Sequence, residues 1–108
     1  MNKHVAYAFK SPLSLREIKQ RLVATTPWPW LDRDNDRYGD YLSALALPEW
    51  GMLKVFEEDG TYVLDFKYRS DKADEDAQAE WRPVHDMLVD RVLPSLGARE
   101  VAPTEPFD

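Results

Sequence analysis

The first apolar residues of the chain follow two spacings, which predict a strand and then a helix. Residues 5–9 alternate bulky apolar side chains with alanines, a period of two that is typical of a short strand. Ser14 and Glu17 match a capping box, in which each side chain accepts a hydrogen bond from the other residue's backbone amide. An apolar stripe at helical spacing follows, so we expect a helix from Leu15 to about Ala24.

Three later apolar segments predict an antiparallel meander. They span 41–47, 52–57 and 62–68. Asp59 and Gly60 separate the last two segments and favour a type I′ turn, because such residues tolerate positive φ. This turn places Lys54 opposite Asp65, a match of opposite charges across the two strands.

The register between the first two of these strands depends on the loop over 48–51. A four-residue loop there places Ala44 opposite Val55 and Leu47 opposite Met52. Together the two registers divide the side chains between two faces of the sheet. The first face is apolar throughout and carries Leu42, Ala44, Ala46, Leu53, Val55, Tyr62, Leu64 and Phe66. We expect the helices to pack on that face.

A second helix and a short edge strand are predicted in the last third of the chain. Acidic residues over 71–76 suit the start of a helix, and an apolar stripe follows with Pro83 inside it, which favours a kinked helix. Residues 99–102 are expected to form a short strand. The sequence therefore predicts one α+β domain over 1–102, in the order β-α-β-β-β-α, and a loose tail over 103–108.

Composition and charge limit the classes of function. The chain has 108 residues and no cysteine, which excludes a second domain, disulfides and cysteine nucleophiles. Its net charge of −6 argues against nucleic acid as a partner. Apolar stretches are too short for a secretory signal or a membrane span, so we expect a soluble cytoplasmic protein without a membrane partner.

The face of the sheet opposite the helices is the first candidate interaction surface. Its predicted apolar members are Tyr41, Leu45, Leu47, Met52, Phe56 and Val63, with Ser43, Lys54, Asp65 and Lys67 among them. An exposed apolar patch with charges around it is typical of an interaction site. The alternative is that another segment of the chain covers this face.

An acidic loop is the second candidate. It carries Asp32, Asp34, Asp36 and Asp40. The first three are spaced as in a calcium loop, but an EF-hand requires glycine and glutamate where this chain has Arg37 and Ser43. We therefore expect no metal site, and interpret the segment as a solvated turn with Gly39 at positive φ or as a docking loop for a basic partner.

Three tryptophans complete the candidate surface. Trp28 and Trp30 each follow a proline, and the two prolines hold the backbone extended, whereas Trp50 precedes Gly51 on a turn. Each indole either packs on the core or contacts a partner, and the sequence leaves both interpretations open.

No catalytic set or cofactor motif is present, and the two histidines, His4 and His85, are far apart in sequence. We therefore expect a non-enzymatic module that occludes a basic protein partner, as an inhibitor, immunity protein or antitoxin does. One alternative is a small enzyme or ligand-binding domain with a pocket between sheet and helices that uses His85, Tyr41 and Asp65. The other is a homodimer formed through Leu45, Leu47, Met52 and Phe56.

Overall fold

A six-stranded antiparallel sheet with both long helices on one face forms the molecule, which confirms the predicted α+β class. The computed structural model describes residues 2–36, 39–47 and 51–105. The strands are β1 (Asn2–Lys10), β2 (Leu31–Asn35), β3 (Gly39–Leu47), β4 (Gly51–Glu58), β5 (Thr61–Arg69) and β6 (Arg99–Thr104), in the spatial order β2-β3-β4-β5-β1-β6. The helices are α1 (Leu15–Thr25) and α2 (Asp74–Met87), which continues through a π-helical segment (Leu88–Val92) into α3 (Leu93–Ser95). Apart from the added strand β2, the order of elements is the predicted one.

The start of α1 has the predicted capping box. The Glu17 amide donates to Ser14 Oγ at 3.2 Å, and the Ser14 amide donates to Glu17 Oε1 at 3.0 Å. The hydrogen bond from the Ser14 amide, with a smaller contribution from the Ser14 side chain, lowers the pKa of Glu17, because both favour the ionised carboxylate. The cap therefore also makes the helix sensitive to acid.

A Glu17→Gln variant tests that sensitivity. The folded-state pKa of Glu17 is lowered, so its carboxylate stabilises the folded chain above its unfolded-state pKa of about 4.3, and the contribution is lost as the pH falls through the folded-state pKa. In urea unfolding, the variant should be less stable than the wild type at about pH 7, and this difference in stability should be smaller at about pH 3. Glu105→Gln, at an exposed position, is the control. An equal deficit of Glu17→Gln at both pH values would contradict the assignment.

The β4–β5 hairpin has the predicted register. Asp59 and Gly60 have φ of 52° and 81°, as a type I′ turn requires, and Lys54 lies opposite Asp65. Because this turn fixes which residues face each other, the division of both strands between two faces is also correct.

The predicted β3–β4 register is wrong by two residues. Ala44 lies opposite Leu53 and Leu45 opposite Met52, and the register then shifts so that Leu47 lies opposite Gly51. Here an extra residue in β3 forms a bulge, which reverses the alternation of side chains. Ala46 and Leu47 both pack against the main core as a result, so Leu47 does not belong to the opposite face as predicted.

Gly51 permits this irregular pairing. A Cβ atom at Gly51 would lie 2.7 Å from Leu47 Cβ and 2.9 Å from the Leu47 amide nitrogen. No other residue fits at that distance from the neighbouring backbone.

The main core lies between the helices and one face of the sheet. The helices contribute their apolar stripes, whose buried members are Ile18, Leu22, Ala77, Trp81, Val84, Leu88, Val92, Leu93 and Leu96. Pro83 lies inside α2, and the irregular turn comes later, where the Leu93 amide donates to Leu88 O in a π-type bond. The sheet contributes all eight residues predicted for this face, seven of them buried and Ala46 half-buried.

The two edges of the sheet differ in regularity. At one edge, β6 extends to Thr104, two residues beyond the predicted strand. It contains Pro103, which has no amide hydrogen to donate, and Glu100 at a φ of 53°. Its register with β1 also shifts between Ala8 and Lys10. At the other edge, β2 pairs with β3 in an unbroken register.

Candidate protein-binding surface

The predicted acidic loop is a β-hairpin. Leu31–Asn35 form a strand that pairs with the start of β3, so Asp32 and Asp34 lie on a strand, where the sequence predicted a turn. Gly39 has the expected positive φ, of 69°. Residues 37 and 38 lie outside the described part of the chain. The hairpin gives these carboxylates fixed directions, because side chains alternate between the two faces of a strand.

Two carboxylates of the hairpin face each other. Asp34 lies directly opposite Asp40 in the register, on the face that carries the helices, and both side chains are exposed. Neither forms an ion pair with any residue in the described ranges. Like charges directly opposite each other across two strands destabilise a sheet, so this pair lowers the stability of the unbound protein.

The acidic surface continues into the next strand. Glu57 follows Phe56, which lies opposite Tyr41, so an antiparallel register places Glu57 across from Asp40. Its charge contributes to a raised pKa of the Tyr62 hydroxyl, for which burial is the larger cause. We call Asp34, Asp36, Asp40, Glu57, Glu58 and Asp59, which lie at one end of the sheet, the acidic end.

A groove separates the hairpin from α1. Its volume is about 970 Å³, and it combines charged walls with apolar positions. Lys19 Nζ spans it to Asp32 Oδ2 at 2.7 Å. Val23 lines the groove with 57% of its surface exposed, outside the buried stripe of α1. Val23 was not among the predicted site residues, although an apolar residue outside the buried stripe of a helix is a signal that the sequence contains.

The face opposite the helices is less exposed than predicted. Phe56 and Val63 are buried in a second small cluster with Ala6, against which half-buried Tyr41 packs. Leu45 remains 45% exposed, and Met52 opposite it is half-buried. The apolar surface left on this face is therefore small.

Leu31 adds to that surface from the edge strand. It lies opposite Ser43 and so diagonally beside Leu45, and it is 51% exposed. The homodimer alternative, which used Phe56 and Leu47 as contacts, retains only Leu45 and Met52 from its predicted set.

The tryptophans before the hairpin pack inward to different extents. Trp30 is buried in the main core, and its Nε1–H donates to Thr26 Oγ1 at 2.8 Å. Trp28 is half-buried against the same core and meets Trp30 edge to face. Trp50 lies outside the described residues. Both tryptophans directly precede the acidic hairpin in sequence. Trp30, the residue before β2, is buried in the core, whereas Trp28 is partly exposed.

The polar residues proposed for a pocket do not converge. Tyr7 on β1 points toward α2, where its hydroxyl is 2.7 Å from His85 Nε2. Asp65 lies opposite Ala6, the neighbour of Tyr7, and therefore on the other face of the sheet. His4 Nε2 lies 2.8 Å from the buried Asp65 carboxylate. His85 and Asp65 are thus separated by the sheet, which is evidence against the proposed pocket.

No family model matches the chain, and no curated protein matches it. Within the described residues, no three histidine, aspartate or glutamate side chains are arranged to hold a metal ion. Among those residues there is also no helix with the length and hydrophobicity needed to cross a bilayer.

Proposed function

We propose that this protein is a non-enzymatic inhibitor of the immunity or antitoxin type, which docks its acidic end onto a basic protein partner and occludes it. The observation that carries the proposal is the exposed pair of Asp34 and Asp40 on facing strands, neither of which forms an ion pair with another described residue. A folded chain that maintains such a repulsion in isolation gains stability when a cationic group comes between the two carboxylates.

Charge distribution supports a basic partner. Residues 32–60 contain eight acidic and three basic residues, whereas 1–31 contain one acidic and five basic residues. The acidic end therefore presents a concentrated negative potential. Such a potential accelerates encounter with a cationic surface and orients the two molecules.

The hairpin also has exposed apolar surface beside it, which protein interfaces need in addition to complementary charge. Leu31 and Leu45 are exposed on one side of the hairpin and Val23 on the other. Apolar contacts of this kind exclude water around charged contacts, as the centre of a protein interface does. In this proposal the protein acts in the cytoplasm, the compartment that the sequence predicts.

An Asp34→Lys variant separates binding from folding. Lysine at this position faces Asp40 and replaces a repulsion by an attraction, so we expect the free energy of unfolding to rise by about 0.2 to 1 kcal/mol. The same change reverses a charge that the partner meets, so affinity should fall by about tenfold or more. A variant that is more stable and yet binds more weakly cannot be explained by loss of the fold.

The measurement starts from the tagged chain as bait in a lysate of its native cell. A stoichiometric partner is identified by mass spectrometry, purified and titrated against both proteins from about 50 mM to about 500 mM NaCl. Asp71→Lys, at the other end of β5, is the control with the same change of net charge. Recovery of no partner, or equal weakening by both variants, would contradict the proposal.

A further inference from the structure

The outer edge of β2 pairs with no other strand in the described part of the chain, so it can accept a further strand. β2 is the last strand of the sheet, and none of the strands in the described ranges pairs with its outer side. The backbone groups on that side of Leu31–Asp34 have no partner within the described residues. An exposed strand edge of this kind can pair with an extended segment of another chain.

Only this edge is regular enough for strand addition. On β6, Pro103 lacks an amide hydrogen, the register shifts and Glu100 has positive φ. Proline and bulges are features that prevent pairing at sheet edges. β2 contains neither in its five residues.

The side chains of β2 define what an added strand must carry. Asp32 and Asp34 point to the helix face, since they lie opposite Leu42 and Asp40, whereas Leu31 points to the other face. We infer that the partner of the proposed function adds an extended segment to the outer edge of β2, with lysine or arginine at alternate positions opposite Asp32 and Asp34. This inference rests on the proposed function and specifies how the partner docks.

The groove beside β2 has room for these basic side chains. It is lined on one side by Asp32, Arg33, Asp34 and Asp40, and on the other by α1, which contributes Arg16, Lys19 and the exposed Val23. Lysine and arginine side chains bury their aliphatic stems on apolar surface while the charged end reaches a carboxylate. Val23, Asp34 and Asp40 provide both kinds of contact, and a basic side chain opposite Asp32 would share that carboxylate with Lys19.

A second copy of this chain does not fit the same edge. Antiparallel pairing of β2 with β2 of another copy, with the helices of both on one side, sets Asp32 against Asp32 or Asp34, or Asp34 against Asp34. Each of these registers places like charges directly opposite each other, which destabilises the pair. The edge is therefore matched to a basic segment and mismatched to itself.

Synthetic peptides of about seven residues test strand addition directly. The probe alternates lysine and valine. Two modified versions carry N-methyl groups either on all lysines or on all valines. Backbone amides of an added strand point alternately toward and away from the sheet edge, so one methylated version should lose at least about tenfold in affinity while the other binds like the unmodified peptide.

Hydrogen–deuterium exchange shows where on the protein the peptide binds. The unmodified peptide should slow exchange of β2 amides in the wild type and bind about tenfold more weakly to Asp34→Lys than to Asp71→Lys. Equal affinity of the two methylated peptides, no binding of the unmodified one, or a dimer of the free chain formed at this edge would overturn the inference. If strand addition fails but the purified partner still discriminates against Asp34→Lys, the proposed function stands with another mode of docking.

Discussion

Replacement of Phe56 by alanine should lower the free energy of unfolding by about 3 to 5 kcal/mol. Only 1% of this side chain is exposed, and it packs with Ala6 and Val63 in the second cluster. The truncation removes buried apolar surface and leaves a cavity that the neighbouring strands cannot close completely. Urea unfolding followed by circular dichroism measures the loss.

Leu45→Ala is the matched control on the same face. Leu45 is 45% exposed, so its truncation removes far less buried surface, and we expect a loss of about 1 kcal/mol or less. If Phe56→Ala were as stable as Leu45→Ala, Phe56 would be the exposed partner contact that its alternation in the sequence suggested. A test of the homodimer alternative also has to use Leu45, because a charge at position 56 would unfold the chain.

Trp30→Ala should have an effect of similar size, about 3 to 5 kcal/mol. The indole is 6% exposed within the main core, and the change also removes its hydrogen bond to Thr26. Chemical unfolding followed by tryptophan fluorescence measures the loss, since other tryptophans remain as probes.

Trp28→Ala provides the comparison for that experiment. Trp28 packs on the same core but is only half-buried, so we expect a clearly smaller loss of stability. A Trp30→Ala protein that kept its stability and bound the partner more weakly would identify Trp30 as an interface residue. That result would reverse the assignment made from its burial.

Sequence patterns predicted those parts of the fold that depend on local chemistry. The capping box of α1 needs only Ser14 and Glu17, and the β4–β5 register needs only Asp59 and Gly60, so both were accessible without knowledge of tertiary packing. The division of these strands between two faces followed from the turn.

Features that depend on contacts between neighbouring strands could not be predicted from local sequence patterns. β2 consists mostly of aspartate, arginine and asparagine, which have low strand propensity, and it is a strand because β3 provides a pairing edge. Because of the bulge between Leu45 and Leu47, Leu47 packs against the main core and is not the exposed partner contact that was predicted. Burial of Phe56 likewise depends on residues brought together from three strands.

The sequence predicted the negative charge of the candidate site but not all of the residues that belong to it. The aspartates of the hairpin were recognised from their density in the sequence. Glu57, Glu58 and Asp59 join them because the β2–β3 and β4–β5 turns lie at the same end of an antiparallel sheet. That juxtaposition is a property of the topology, and it adds three carboxylates to those that the hairpin presents to a partner.

The irregular edge at β6 has a consequence for stoichiometry. A sheet with two usable edges can polymerise, because each added chain offers a new edge to the next one. Pro103 and the shifted register disfavour strand addition at the β6 edge, so a further strand can be added only at the β2 edge. Complexes formed by strand addition should therefore terminate as closed heterodimers instead of extending into fibrils.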